Sequence, residues 1–165
     1  MSEAPPKRRR RPDNHEFGVA RLRELPLSLP TCDTPRSVYD YWQANIASAC
    51  WYNPDVECLC VLHLNTRRRA TGFHLAGLGT LDTVYIHARE VFRTAIVRAA
   101  AAIVLAHNHP SGDPHPSQSD IKVTRELVRA GQLLRIEVLD HVIMGRVDSE
   151  RSQGWESLRA LGYLA

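Results

Sequence analysis

At 165 residues, with 44% hydrophobic and 24% charged residues, the chain suits one globular domain, long enough for a substantial core and short for two. Its most apolar run, "AAAAIVLA" at 99–106, is far shorter than the roughly 20 residues that cross a bilayer. No apolar stretch follows the "KRRRRP" near the amino terminus, so neither a membrane span nor a secretory signal is expected, and a cytoplasmic protein is. The formal charge of +3 is local in origin: without Lys7, Arg8, Arg9, Arg10 and Arg11, 16 basic residues face 18 acidic ones. Such an arm can make weak contact with nucleic acid or another polyanion through counterion release, or stay solvated.

Residues 1–33 are rich in proline, show no sustained periodicity and read as a flexible basic tail with room for an ordered edge; residues 34–165 read as the folded domain. In "TPRSVYDYWQANIASACW", Thr34 is placed as a helix N-cap with Pro35 at the first helical position. Val38, Tyr41, Trp42, Ile46 and Ala49 then recur at helical spacing. "VECLCVLHL" (56–64) and "ATGFHLAG" predict two strands joined by the polar turn "NTRRR".

A short extended piece at "TVYIH" precedes a second helix marked by Val91, Ala95, Ile96 and Ala99, and "AAIVLA" is a buried strand. "SQSDIKVTRELVRAGQ" predicts a third helix, with Ile121, Leu127 and Val128 inward and Gly131 near its end. "LRIEVLDHVIMG" predicts two further strands separated near Asp140. The order β-β-α-β-α-β-β implies a mixed sheet with helices packed against it. Cys32, Cys50, Cys58 and Cys60 include no Cys-x-x-Cys pair and are expected to be buried, reduced thiols.

The chemistry concentrates in "LAHNHPSGDPHPSQSD". His107 and His109 lie two apart where a strand runs out, so their side chains share one side of the extended backbone. Asp120, in the first turn of the helix beyond the loop, supplies a carboxylate. A His, His, Asp set leaves a fourth tetrahedral position for water, as in catalytic zinc sites, and two imidazoles argue against Mg²⁺ and Ca²⁺. Separately, each piece has an ordinary structural explanation: Ser117-x-x-Asp120 reads as an N-cap with an acidic first turn, and the prolines with Gly112 shape a loop. Together they form one continuous pattern, His-x-His, seven residues, Ser-x-x-Asp.

That pattern resembles the JAMM motif of JAB/MPN-domain metalloproteases, and "HNHPSGDPHPSQSD" is similar to their bacterial RadC-like branch. The likeness runs over roughly residues 55–163, through "GTLDTVYIHAREVFRTAI", "LLRIEVLDHVIMG" and "SLRALGYL". It implies a single α/β (α+β) domain, a mixed β-sheet flanked by helices, JAB/MPN-like and hence cytidine-deaminase-like. The helix-hairpin-helix region of full RadC proteins is not expected in the first 54 residues, which are too few and too rich in proline.

The resemblance also implies one Zn²⁺ per chain, held by His107, His109 and Asp120, and a catalytic glutamate upstream near the start of an early strand. Glu57 fits that place, and a carboxylate entering an apolar strand needs a partner. Glu90, the competitor, sits in the first turn of a helix, where an acid is favoured by the dipole. The implied activity is zinc-dependent hydrolysis of a peptide or isopeptide bond, with Glu57 as general base and Ser117 donating to the oxyanion. His115 is a loop residue open to substrate or solvent, and His63, His74, His87 and His141 have no ligand spacing. A DNA-repair or nucleic-acid-associated role and a non-catalytic MPN scaffold remain the alternatives.

Overall fold

The computed structural model describes residues 29–79, 86–149 and 151–164. The expected tail up to residue 28, with Lys7 to Arg11, and most of the expected extended piece at 83–87 lie outside the described residues. The tail's ordered edge is visible: Thr31 bridges to Arg69, and Cys32 is fully buried with its backbone N–H donating to the Arg68 carbonyl.

Helix α1 (Pro35–Asn45) starts as predicted. Thr34 Oγ1 accepts from the Ser37 N–H, the Ser37 hydroxyl accepts from the Thr34 N–H, and proline opens the first turn. Strands β1 (Cys58–Leu64) and β2 (Ala70–Leu78) form an antiparallel hairpin. In its turn, Asn65 Oδ1 accepts from the backbone N–H groups of Arg67 and Arg69. Helix α2 (Ala88–Val97) buries the expected Val91 and Ala95 together with Phe92, whereas Ile96, within the helix, and Ala99, beyond its end, face solvent. Strand β3 (Ala102–Asn108) leads into helix α3 (Gln118–Leu134), which crosses over to β4 (Glu137–Met144), parallel to β3. A short β5 (Trp155–Ser157) completes a mixed sheet in the order β2-β1-β3-β4-β5.

One expectation is corrected. Residues 137–144 form one strand, with no separation at Asp140. The Asp140 carboxylate is buried inside β4 and accepts from the Ser157 hydroxyl and the backbone N–H groups of His141 and Arg159, so it ties β4 to the chain around β5. Gly131 lies in the last turn of α3, near its end as expected, and the left-handed cap that follows is Arg135 (φ 55°). Glycine is needed at 131 because a Cβ would fall 2.5 Å from the Ile136 carbonyl oxygen.

The sheet is packed on both faces. Val38, Tyr41 and Trp42 of α1, with Ile46 at its C-cap, meet Cys58, Cys60, Leu62, Val104, Ala106 and Val142 on one face. Val91 and Phe92 of α2 and Leu127 of α3 meet Leu59, Val61, Ile103 and Leu105 on the other. The expected burial holds for Cys32, Cys58 and Cys60, while Cys50 is exposed; all four are free thiols. Strand alternation on β3 therefore carries His107 to the α2/α3 face and Asn108 to the α1 face. Among the described residues, no helix is long and apolar enough to cross a membrane.

His63 on β1 is fully buried, and its Nε2 lies 3.0 Å from His74 Nδ1. The Glu90 carbonyl accepts from His74 Nε2–H, so His63 Nε2 is the donor in the pair. Burial, reinforced by His74 and Arg98, pushes the His63 pKa down to about 3. Below its unfolded value of 6.5, the unfolded chain takes up a proton that the folded chain refuses, so stability falls as pH drops from 6.5 towards 3. The slope from this one residue is at most about 1.4 kcal/mol per pH unit. Thermal melts between pH 7 and 4 should show the loss, and His63→Leu should flatten it; an equally steep profile in the variant contradicts this assignment.

Candidate metal centre

Among the described residues, one group of His, Cys, Asp and Glu side chains gathers closely enough to hold a metal ion: Glu57, His107, His109 and Asp120, with one ligand atom from each within 4.8 Å of all the others. Three elements converge to place them. β3 delivers His107 at its carboxyl end and His109 just beyond; the first turn of α3 brings Asp120; the entry to β1 brings Glu57. Glu90 stays outside, on the surface between Arg89 and Arg93.

The distances suit tetrahedral coordination. His107 Nε2 is 2.9 Å from His109 Nε2 and 3.3 Å from Asp120 Oδ1, and His109 Nε2 approaches the same carboxylate to 3.5 Å at Oδ2, the oxygen that Ser117 holds. Ligand atoms bonded to one tetrahedral ion at about 2.0–2.1 Å lie about 3.3 Å apart. Asp120 is buried, and its Oδ1 has no hydrogen-bond partner, a costly state for a carboxylate oxygen unless a cation faces it. The donors are imidazole and carboxylate, the set that suits zinc and related transition metals better than magnesium or calcium.

Each ligand is held from behind. Asp120 Oδ2 accepts from the Ser117 N–H at 2.7 Å and the Ser117 hydroxyl at 2.6 Å, while Ser117 Oγ accepts from the Asp120 N–H. Ser117 and Asp120 thus form the capping box of α3, and the same bonds turn Oδ1 towards the histidines. His109 Nδ1–H donates to the Asp113 carbonyl at 2.7 Å, which leaves Nε2 bare. The loop carrying these groups turns at Gly112 (φ 84°), whose carbonyl accepts from the Arg146 N–H and from Arg151 Nη1. On the other face of β3, Asn108 Oδ1 accepts from the Cys58 N–H while its Nδ2 donates to the carbonyls of Val56 and Pro54. Bonds to residues 56 and 58 clamp the backbone on both sides of Glu57, whose Oε1 lies 3.8 Å from His107 Nε2.

Electrostatics agree with ligation. Burial pushes the His107 pKa well below its usual value, helped by His141 and opposed by Asp120, so the ring is neutral. Burial alone would raise Asp120, but the nearness of His109 and His107 and both Ser117 bonds outweigh it and hold the carboxyl below its usual range. His109 is pulled down by burial and up, on balance, by Asp120 and the Asp113 carbonyl. His115 lies outside the cluster, exposed, 3.4 Å from Glu156. His141, which sequence spacing gave no role, is buried with its Nε2 2.8 Å from His107 Nδ1.

A family profile described as RadC-like JAB domain matches residues 32–162, which takes in α1 as well as the segment expected from the sequence. A UPF0758 protein of Symbiobacterium thermophilum is 39% identical over 144 residues, 87% of this chain and 57% of its own length. One from Chlorobium chlorochromatii is 47% identical over 108 residues, covering 66% of this chain and 46% of the relative. One from Moorella thermoacetica is 55% identical over 91 residues, covering 55% and 40%. The chain thus spans about half the length of the curated relatives it matches.

Gly145 provides a test of the loop's part in the centre. A Cβ there would fall 2.5 Å from the Gly112 carbonyl oxygen and 2.6 Å from Pro114, so Gly145→Ala must displace the loop that holds His109. Metal affinity, measured by chelator competition, should fall about tenfold or more, the scale on which outer support of a ligand matters. An unchanged affinity would show that the loop's position is not needed.

Proposed function

This chain belongs to the RadC-like JAB domain family, and from that premise and the geometry of its cluster we propose that it is a zinc-dependent peptidase or isopeptidase. The observation that carries the proposal is the convergence of Glu57 on the His107, His109 and Asp120 trio. A purely structural zinc site closes with a fourth protein ligand, most often cysteine or histidine. Here the fourth group is a carboxylate at the rim, close enough to serve a reacting water.

His107 and His109 through Nε2, and Asp120 through Oδ1, would hold the ion. Zinc bound there supplies Lewis acidity, polarising a carbonyl and bringing water into the range of deprotonation near neutral pH. Glu57 Oε1 takes a proton from the attacking water as the new C–O bond forms. It returns that proton to the amide nitrogen as the C–N bond breaks, so acid and carboxylate alternate within one turnover. Asn108 keeps the Glu57 backbone in place through both transfers. Ser117 has one hydroxyl hydrogen, directed at Asp120 Oδ2, so its first role is to aim the ligand. Donation to an oxyanion requires the hydroxyl to rotate away from that bond.

Glu57→Gln separates base from ligand. The variant keeps size and a hydrogen-bonding carbonyl but cannot take a proton. It should bind about one zinc per chain while hydrolysis of a peptide and isopeptide library falls by about 10²–10⁴-fold. Asp120→Asn should instead lose zinc. A Glu57→Gln protein with full activity, or one without zinc, contradicts the role of Glu57 as base.

A further inference from the structure

We propose that His141 and Thr124 are positioning residues that select the tautomer of His107 and so keep its Nε2 lone pair available to a metal. The inference rests on the reading of the cluster as a zinc site and extends it to two residues that neither spacing nor the cluster itself includes.

A backbone carbonyl only accepts, and the Asp120 carbonyl lies 2.6 Å from Thr124 Oγ1, so the Thr124 hydroxyl hydrogen points there. Thr124 Oγ1 is also 2.6 Å from His141 Nδ1 and must accept at that contact, which places the His141 hydrogen on Nδ1. A neutral imidazole carries one N–H, so His141 Nε2 is bare and accepts from His107 Nδ1–H across 2.8 Å. His107 Nε2 is then bare too, and it faces His109 and Asp120.

The opposite polarity would put a hydrogen on His107 Nε2, where a metal must bind. His107, His141 and Thr124 are all fully buried, so water does not compete for these contacts. Thr124 lies one helical turn after Asp120, so α3 supplies a ligand and the anchor of the relay from the same face. Metal-binding histidines usually lean on a carboxylate or a backbone carbonyl, as His109 does on Asp113. His107 leans on a second imidazole, which serves only while Thr124 dictates its direction.

The test uses the full chain, uniformly ¹⁵N-labelled, with zinc alone as the probe. Long-range ¹H–¹⁵N spectra of the metal-free wild type should show His141 and His107 both protonated at Nδ1. A hydrogen on His141 Nε2 overturns the proposal. Thr124→Val keeps the shape of the side chain and removes the hydroxyl. In the folded variant, the zinc dissociation constant from chelator competition should rise about 10–100-fold, and Thr124→Ser should restore it to within a few fold. A role limited to packing would lower the melting temperature of the metal-free variant and leave the dissociation constant unchanged, which also overturns the proposal. So does a serine variant as weak as the valine. If Thr124→Val does not fold, the wild-type spectra decide alone. If the wild type takes up no zinc, the hydrolase reading fails, while the tautomers of His107 and His141 still decide this one.

Discussion

Asp120 is a carboxylate buried at the start of a helix, with one oxygen tied down and the other bare. Its Oδ2 closes the capping box with Ser117, so the bonds that begin α3 also aim Oδ1 at the two histidines. Removing a cap of this kind costs about 0.5–2 kcal/mol of stability. Here it would release the carboxylate as well. The helix start and the candidate ligand are one structure, so the domain cannot place α3 correctly without also forming that side of the centre.

The alternation of β3 supplies the other side. Ile103, Leu105 and His107 face α2 and α3, while Val104, Ala106 and Asn108 face α1. Apolar packing on both faces fixes the register, since a slip by one residue would exchange the faces. His107 is then presented to the cluster, and Asn108 reaches through to residues 54–58 and holds the approach to Glu57. One strand end thus presents a ligand from one face and, from the other, anchors the backbone that carries the candidate base to the same cluster.

Local features of the centre could be read from the chain. The spacing of His107 and His109 puts both rings on one side wherever the backbone is extended, and Ser117-x-x-Asp120 marks a helix start by the chemistry of capping. Thr34 and Pro35 gave α1 in the same way. What escaped depends on register between distant segments. His141 reaches His107 because β3 pairs in parallel with β4, Leu105 opposite His141, a match that no local pattern encodes. Asp140 looked like a break because an acid inside an apolar run usually marks a turn. Its three hydrogen bonds come from the next residue and from residues 157 and 159, and only the fold shows them. The α2 face was read correctly at Val91 and Ala95, but the inward residue beside them is Phe92 and Ile96 is exposed. Glu57 lies outside any motif spacing, and its place came from family resemblance rather than from its neighbours.

We propose that His107, His109 and Asp120 hold zinc with a position left open. Zinc K-edge X-ray absorption on the zinc-loaded full chain tests it most directly. The expected result is a four-coordinate ion with two imidazole nitrogens at about 2.0–2.1 Å and two oxygens at about 2.0–2.2 Å, one from Asp120 and one from water. The two imidazole signals should disappear in a protein carrying His107→Ala and His109→Ala. A sulfur shell at about 2.3 Å, or an imidazole signal that survives the double substitution, would contradict it.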